Sequence, residues 1–276
     1  MGRRLGSEVT TSDQRSPGIP LSQVFDLAGQ TAIVTGGGSG LGRQMAEALA
    51  ELGANVVLCA RKLERCAEAA SALRTDHGVD AIALRCDVRD RSAIQDVVDA
   101  TLERFGAIDI LVNNSGTTWG EDAAEMPIEA WQKVIDVNLT GLFSFAQTVG
   151  RVMITQQRGS IVNITSVAAF QGMRPEVMDA IAYSASKGAV VSFTRDLAVK
   201  WARHGVRVNA LAPGWFPSDM SEHTLATSGP LLLEQIPLGR FGDPAEIKGA
   251  IAFLASRAAS FVTGSVVVVD GGQTAA

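Results

Sequence analysis

Metal-binding and disulfide-forming residues are scarce in this chain. Its 276 residues include three cysteines (Cys59, Cys66, Cys86) and three histidines (His77, His204, His223). Their spacing matches no metal or redox motif, so no metal centre is expected, and the unpaired thiols suit a reducing, cytoplasmic compartment. No run of 18 apolar residues occurs, which argues against a helical membrane span. Positive charge is not in excess either: the net charge is -5. A nucleic-acid partner held by a basic patch is therefore not expected. The N-terminal stretch is polar and lacks an apolar signal core, and residues 1–20 read as a flexible arm.

What remains is an ordinary globular composition, 46% hydrophobic and 19% charged, long enough for one large α/β domain over residues 21–276. Apolar strands are expected at 32–34, 55–59, 80–85, 108–112, 160–165, 206–211 and 265–269. Helical patterns separate them, including one long helix over 127–157 and another over 180–203. Residues 215–240, with Pro217, Pro230 and Pro237, read as an irregular substrate loop. Strands that are apolar on both faces and alternate with helices predict a doubly wound, seven-stranded parallel sheet with helices on both faces, a Rossmann-type fold. Right-handed crossovers then put the loops that follow the strands on one carboxyl edge.

The first of those loops is the most informative. The run TAIVTGGGSGLG, Thr31–Gly42, is a strand, a glycine-rich turn and the start of an amphipathic helix. Glycine lets the backbone approach a ligand closely, and the unpaired N–H groups of a helix start favour phosphate. Gly36, Ser39, Gly40, Leu41 and Gly42 are thus candidate dinucleotide contacts, although their spacing is not G-x-G-x-x-G. After the second strand comes Ala60-Arg61-Lys62, with no carboxylate to hold the ribose hydroxyls of NAD. Arg61, with Lys62 beside it, suits a 2′-phosphate instead, so NADP(H) is favoured and NAD(H) is the alternative. After the third strand, Asp87 is a candidate acceptor for the adenine amino group, and Val88 is placed to lie against the ring.

Tyr183, the single tyrosine, precedes Lys187 by four residues on a predicted helix, so the two share a face. A neighbouring ammonium favours phenolate and is expected to lower the tyrosine pKa, tuning it for proton transfer. Reduction of a ketone needs such a proton when a cofactor delivers the hydride.

TGGGSGLG, NNSG at 113–116, YSASK at 183–187 and the Pro213-Gly214 pair together resemble the classical short-chain dehydrogenase/reductase family, from about Leu27 to Gly272. The branch containing 3-oxoacyl-carrier-protein reductases and gluconate 5-dehydrogenases is the most similar. The resemblance implies a catalytic tetrad: Tyr183 as acid or base, Lys187 on the nicotinamide ribose, Ser166 on the substrate oxygen, and Asn138 anchoring a proton-relay water. It also implies cofactor contacts from Asn114, Ser115 and Gly116, and from Pro213, Gly214, Phe216 and Ser218 in the loop beside nicotinamide. A homotetramer is implied as well. Two features depart from the pattern. Ser39 stands where NADP-users often carry a basic residue, and Ser166 and Tyr183 are 17 residues apart rather than about 13.

The extra length would rim the substrate pocket. Phe170, Met173 and Met178 are candidate walls, with Arg174 as a candidate partner for an anionic substrate or carrier. Trp119 and Trp215 are placed at the same rim. The apolar residues of the 215–237 stretch point to a 3-oxoacyl or other apolar carbonyl substrate, free or carrier-linked. An NAD(H)-dependent sugar-acid or secondary-alcohol dehydrogenase is the alternative. A non-catalytic nucleotide-binding protein has no evident need for all four tetrad residues.

Overall fold

A computed structural model describes residues 18–276; of the expected arm, only 18–20 fall within the described residues. After a short helix α1 (Leu21–Val24), strands and helices alternate: β1 (Thr31–Thr35), α2 (Gly40–Glu51), β2 (Asn55–Ala60), α3 (Leu63–His77), β3 (Ala81–Arg85), α4 (Arg91–Phe105) and β4 (Ile110–Asn113). The second half runs α5 (Ile128–Ile135), α6 (Leu142–Gln156), β5 (Gly159–Ile164), α7 (Ile181–Trp201), β6 (Val206–Pro213), α8 (Glu222–Leu233), α9 (Lys248–Ala255) and β7 (Val266–Val269). All seven strands are parallel, in the order β3-β2-β1-β4-β5-β6-β7.

Successive strand residues point to opposite faces of a sheet, and in the central strands β1, β2, β4 and β5 both faces are buried. Val34, Leu58, Val112 and Val162 meet α2, α3 and α9 on one side, against Met45, Leu49, Leu73 and Leu254. Ile33, Val57, Leu111 and Ile161 meet α4, α6 and α7 on the other, against Val97, Phe145, Met153 and Leu197. This is the doubly wound sheet that the strand composition predicts. It reverses winding between β1 and β4, which opens a crevice at their carboxyl ends.

Two expectations are corrected. The long helix expected over 127–157 runs unbroken from Ile128 to Gln156, but its middle turn, Asp136–Gly141, is π-helical rather than α-helical and divides it into α5 and α6. Hydrophobic spacing carries no trace of one inserted residue per turn, and such bulges gather at functional sites. The stretch 215–240 is not irregular throughout, because it contains α8. Pro230 lies inside that helix and removes one backbone donor. Fully buried Leu232 and a tie from the Ser228 hydroxyl to the Glu176 carbonyl, 2.7 Å, hold α8 in place despite it.

Candidate active site

The crevice is held open by a buried threonine. Thr35, at the end of β1, accepts hydrogen bonds at Oγ1 from the Asn114 and Ser115 amides, both 2.9 Å. The Asn114 side-chain amide donates back to the carbonyls of Thr35 (3.0 Å) and Gly36 (3.3 Å). The loops after β1 and β4 are thereby clamped together. Gly36 turns at φ +66°, and a methyl at Gly42 would lie 2.3 Å from the Gly36 carbonyl oxygen. The chain can fold back this tightly only without side chains there. Ser39 precedes α2 without capping it through its side chain, so the first N–H groups of the helix are left to a ligand. A glycine cradle ending at an uncapped helix start fits a dinucleotide pyrophosphate.

A cavity of about 970 Å³ runs from this cradle across the carboxyl edge. Gly36, Ser39, Gly40, Leu41 and Gly42 line it, as do Asn114, Ser115 and Gly116. Arg61, Asp87 and Val88 line the end beyond β2 and β3. Asp87 is held by a partner that sequence reasoning missed: Arg89 grips its carboxylate through Nε (3.0 Å) and a terminal nitrogen (2.6 Å). These bonds, with a smaller contribution from Arg61, take the Asp87 carboxyl down to about 2. Lys62 is exposed at the start of α3 and is not part of the lining.

The four tetrad candidates converge from three elements. Ser166 follows β5 and begins a 3-10 turn, its hydroxyl accepting from the Ala168 amide at 3.2 Å. Tyr183 and Lys187 sit one turn apart on α7, with the Lys187 Nζ 5.5 Å from the centre of the tyrosine ring. Nζ donates to the Ile164 carbonyl at 2.8 Å, and the Thr165 hydroxyl donates to the Lys187 carbonyl at 2.7 Å, so the end of β5 is bolted to α7. Asn138, 1% exposed, lies in the π-helical turn. Its amide exchanges two bonds with the Thr117 backbone (2.8 and 2.9 Å) and donates to the Ser186 hydroxyl at 3.0 Å. A methyl on Gly116 would stand 3.6 Å from the Asn138 oxygen and 3.7 Å from Nζ, so both side chains reach the same small space.

One electrostatic expectation is reversed. Burial of the phenol pushes the Tyr183 pKa up, and a hydrogen bond with Ser166 offsets this only in part. Lys187 does not offset this, because burial lowers its own pKa to about 8 and it has lost its proton at the pH where the phenol ionises. Sequence spacing places the pair but does not report that Lys187 is buried, 4% exposed. The folded state binds the Lys187 proton less tightly than the unfolded state, so the charged lysine costs stability below about pH 8 and the cost fades as pH rises toward 10.5. Lys187→Met is expected to stabilise the fold by about 1–3 kcal/mol at neutral pH, less above pH 8. Thermal denaturation across pH 6 to about 10 checks this; a variant less stable than wild type at pH 7 would contradict it.

At the rim the candidates divide. Met173, Met178, Trp215, Phe216 and Ser218 line the cavity, along with Pro213 and Gly214. Phe170 (43% exposed), Trp119 (38% exposed) and the exposed Arg174 are not among the lining residues. Trp119 instead carries the Lys133 ammonium 5.4 Å from its ring centre. Sequence reasoning missed Thr117, Glu176, Asp179 and Thr227. Only the two carboxylates of the insertion were visible as a signal, and nothing in the sequence oriented them.

Fold and cavity together are those of a dinucleotide-binding α/β protein with a serine–tyrosine–lysine centre beside the cofactor cradle. A family model described as enoyl-(acyl carrier protein) reductase matches residues 36–274. The chain belongs to the short-chain dehydrogenase/reductase family, oxidoreductases acting on alcohol and carbonyl groups. A 3-oxoacyl-[acyl-carrier-protein] reductase of Synechocystis sp. is 40% identical over 248 residues, covering 90% of this chain and 98% of that protein. A galactitol 2-dehydrogenase (L-tagatose-forming) of Cereibacter sphaeroides is 41% identical, covering 91% and 97%. The crystal structure of a gluconate 5-dehydrogenase from Burkholderia cenocepacia, in complex with NADP and tartrate, superposes with a TM-score of 0.87 at 37% identity, covering 92% of this chain and 98% of that one.

Proposed function

We propose that the cleft carries out reversible hydride transfer between NADP(H) and a small-molecule carbonyl or secondary alcohol. The convergence of Ser166, Tyr183 and Lys187 on one end of the cofactor cavity, with Asn138 reaching the space beside Lys187 at Gly116, carries this reading. When bound, the nicotinamide supplies or accepts the hydride. Tyr183, a phenol with its pKa raised above the ordinary value, gives its proton to the substrate oxygen in reduction and takes it back in oxidation. Ser166 donates to the same oxygen as charge develops there, where a preorganised donor counts most. Lys187 holds the nicotinamide ribose, and Asn138 fixes the Thr117 backbone and the space beside Nζ through which a proton is replaced.

Arg61 at the end of β2, with no acidic residue beside it, favours a 2′-phosphate, in keeping with the NADP held by the Burkholderia relative. Oxidation of NADPH and NADH, with diacetyl as a small test carbonyl, tests both points. NADPH is expected to be preferred. Arg61→Ala should raise the KM for NADPH about 10- to 100-fold with little change for NADH, the loss of one charge-assisted guanidinium–phosphate contact. Equal use of both cofactors by the wild type would overturn the preference.

The expected homotetramer is supported by apolar side chains left exposed on α6 and α7 (Phe143, Val199) and at the β7 edge (Phe261, Val268). The three free, buried thiols suit a cytoplasmic setting. Among the described residues no helix is long and apolar enough to cross a membrane.

A further inference from the structure

The cavity lining contains one arginine and one lysine, Arg61 and Lys187. Neither serves the substrate end. Arg61 stands beside Asp87 at the far end, and Lys187 lies beneath the Tyr183 ring, bonded to the Ile164 carbonyl and facing the cofactor's ribose. Arg174, the cation expected to greet an anionic substrate, is exposed and outside the lining. The substrate end instead carries two carboxylates from the insertion, Glu176 and Asp179.

Their backbones are pinned from opposite sides of the mouth. The Ser228 hydroxyl of α8 donates to the Glu176 carbonyl at 2.7 Å. The Glu121 amide donates to the Asp179 carbonyl at 2.9 Å, and Glu121 forms a parallel bridge with Ala180. These bonds hold the backbone of the insertion at the mouth on both flanks. The third acid, Asp219, is already paired with Arg65; His223 on α8 is the remaining titratable group there.

Sites built for carboxylate or phosphate present a guanidinium fork or a lysine, and this end presents the opposite charge. Carboxylates are acceptor-only groups suited to the hydroxyl donors of a polyol or ketose. We infer that the substrate end takes an uncharged, hydroxyl-bearing ketone or secondary alcohol and discriminates against carboxylates and phosphate-bearing acyl carriers. This inference rests on the hydride-transfer reading above.

The test uses a matched pair, galactitol and galactonate, which share a carbon chain and differ in charge at one end. Each is measured as an inhibitor of NADPH-dependent diacetyl reduction by the full chain and, where oxidised, by kcat/KM with NADP. Galactitol is expected to be favoured about tenfold at low ionic strength, with the gap narrowing as salt screens the carboxylates. The Glu176→Gln/Asp179→Asn double variant should narrow it by improving galactonate. Galactonate binding as well as galactitol, inhibition by neither, or a gap indifferent to both salt and the double variant would overturn the inference while diacetyl reduction leaves the hydride reading intact. Absence of diacetyl reduction would remove that reading and this inference with it.

Discussion

Tyr183→Phe is expected to lower kcat by about 10³-fold or more while leaving NADPH affinity nearly unchanged. The substitution removes one hydroxyl. The ring keeps its place on α7, where Lys187 packs 5.5 Å from its centre, and neither the glycine cradle nor Arg61 is touched. What is lost is the proton donor itself, and general acid catalysis alone supplies about 10²–10⁴-fold. The Ser166 hydroxyl loses its partner, but it stays bonded to the Ala168 amide, so the remaining donor keeps a small residual rate. Single-turnover kinetics beside a fluorescence titration of NADPH separates the two effects. Equal losses of affinity and rate would mean that the tyrosine is structural. Because the chain has a single tyrosine, ultraviolet titration of tyrosinate reads this residue alone. The phenol of the free protein should ionise above the ordinary value of 10.0; ionisation near neutral pH would restore the expectation drawn from the Tyr–Lys spacing.

Gly42→Ala should weaken NADPH binding by about 10²-fold. Alanine is the better helix former, by about 1 kcal/mol at an open position. Here its methyl would stand 2.3 Å from the Gly36 carbonyl oxygen and 2.4 Å from the Asn114 amide nitrogen. Overpacking of that kind costs about 1–3 kcal/mol, so the clash outweighs the propensity gain. Relief requires the Gly36 turn or Asn114 to move, and displacements near 1 Å at a positioning loop cost about 10²-fold. Gly249→Ala on α9, where an added methyl meets nothing within 4 Å, is the control and should be neutral or slightly stabilising. Isothermal titration with NADPH and thermal denaturation of both variants decide the matter. Unchanged affinity in Gly42→Ala would show that the glycine contact is incidental to the cofactor.

The parallel, doubly wound sheet was legible in the chain because a strand buried on both faces must be apolar throughout, and seven such runs alternate with helical patterns. The cradle was legible for a related reason: Gly36, Gly40 and Gly42 sit between a strand and a helix, and few other local structures need that order. Helical spacing puts Tyr183 and Lys187 on one face, and the YSASK run, read together with TGGGSGLG, NNSG and Pro213-Gly214, marked them as a pair. Tertiary structure decided the rest, since it depends on what distant segments do to one another. The π-helical turn that delivers Asn138 leaves no periodic mark. The raised pKa of Tyr183 follows from how the folded chain packs around it, so local charge pointed in the wrong direction. Arg174 and Glu176 lie two residues apart in one insertion, yet only Glu176 lines the cavity. The bond from Ser228, 52 residues away, helps fix the insertion at the mouth, and no local rule could anticipate it.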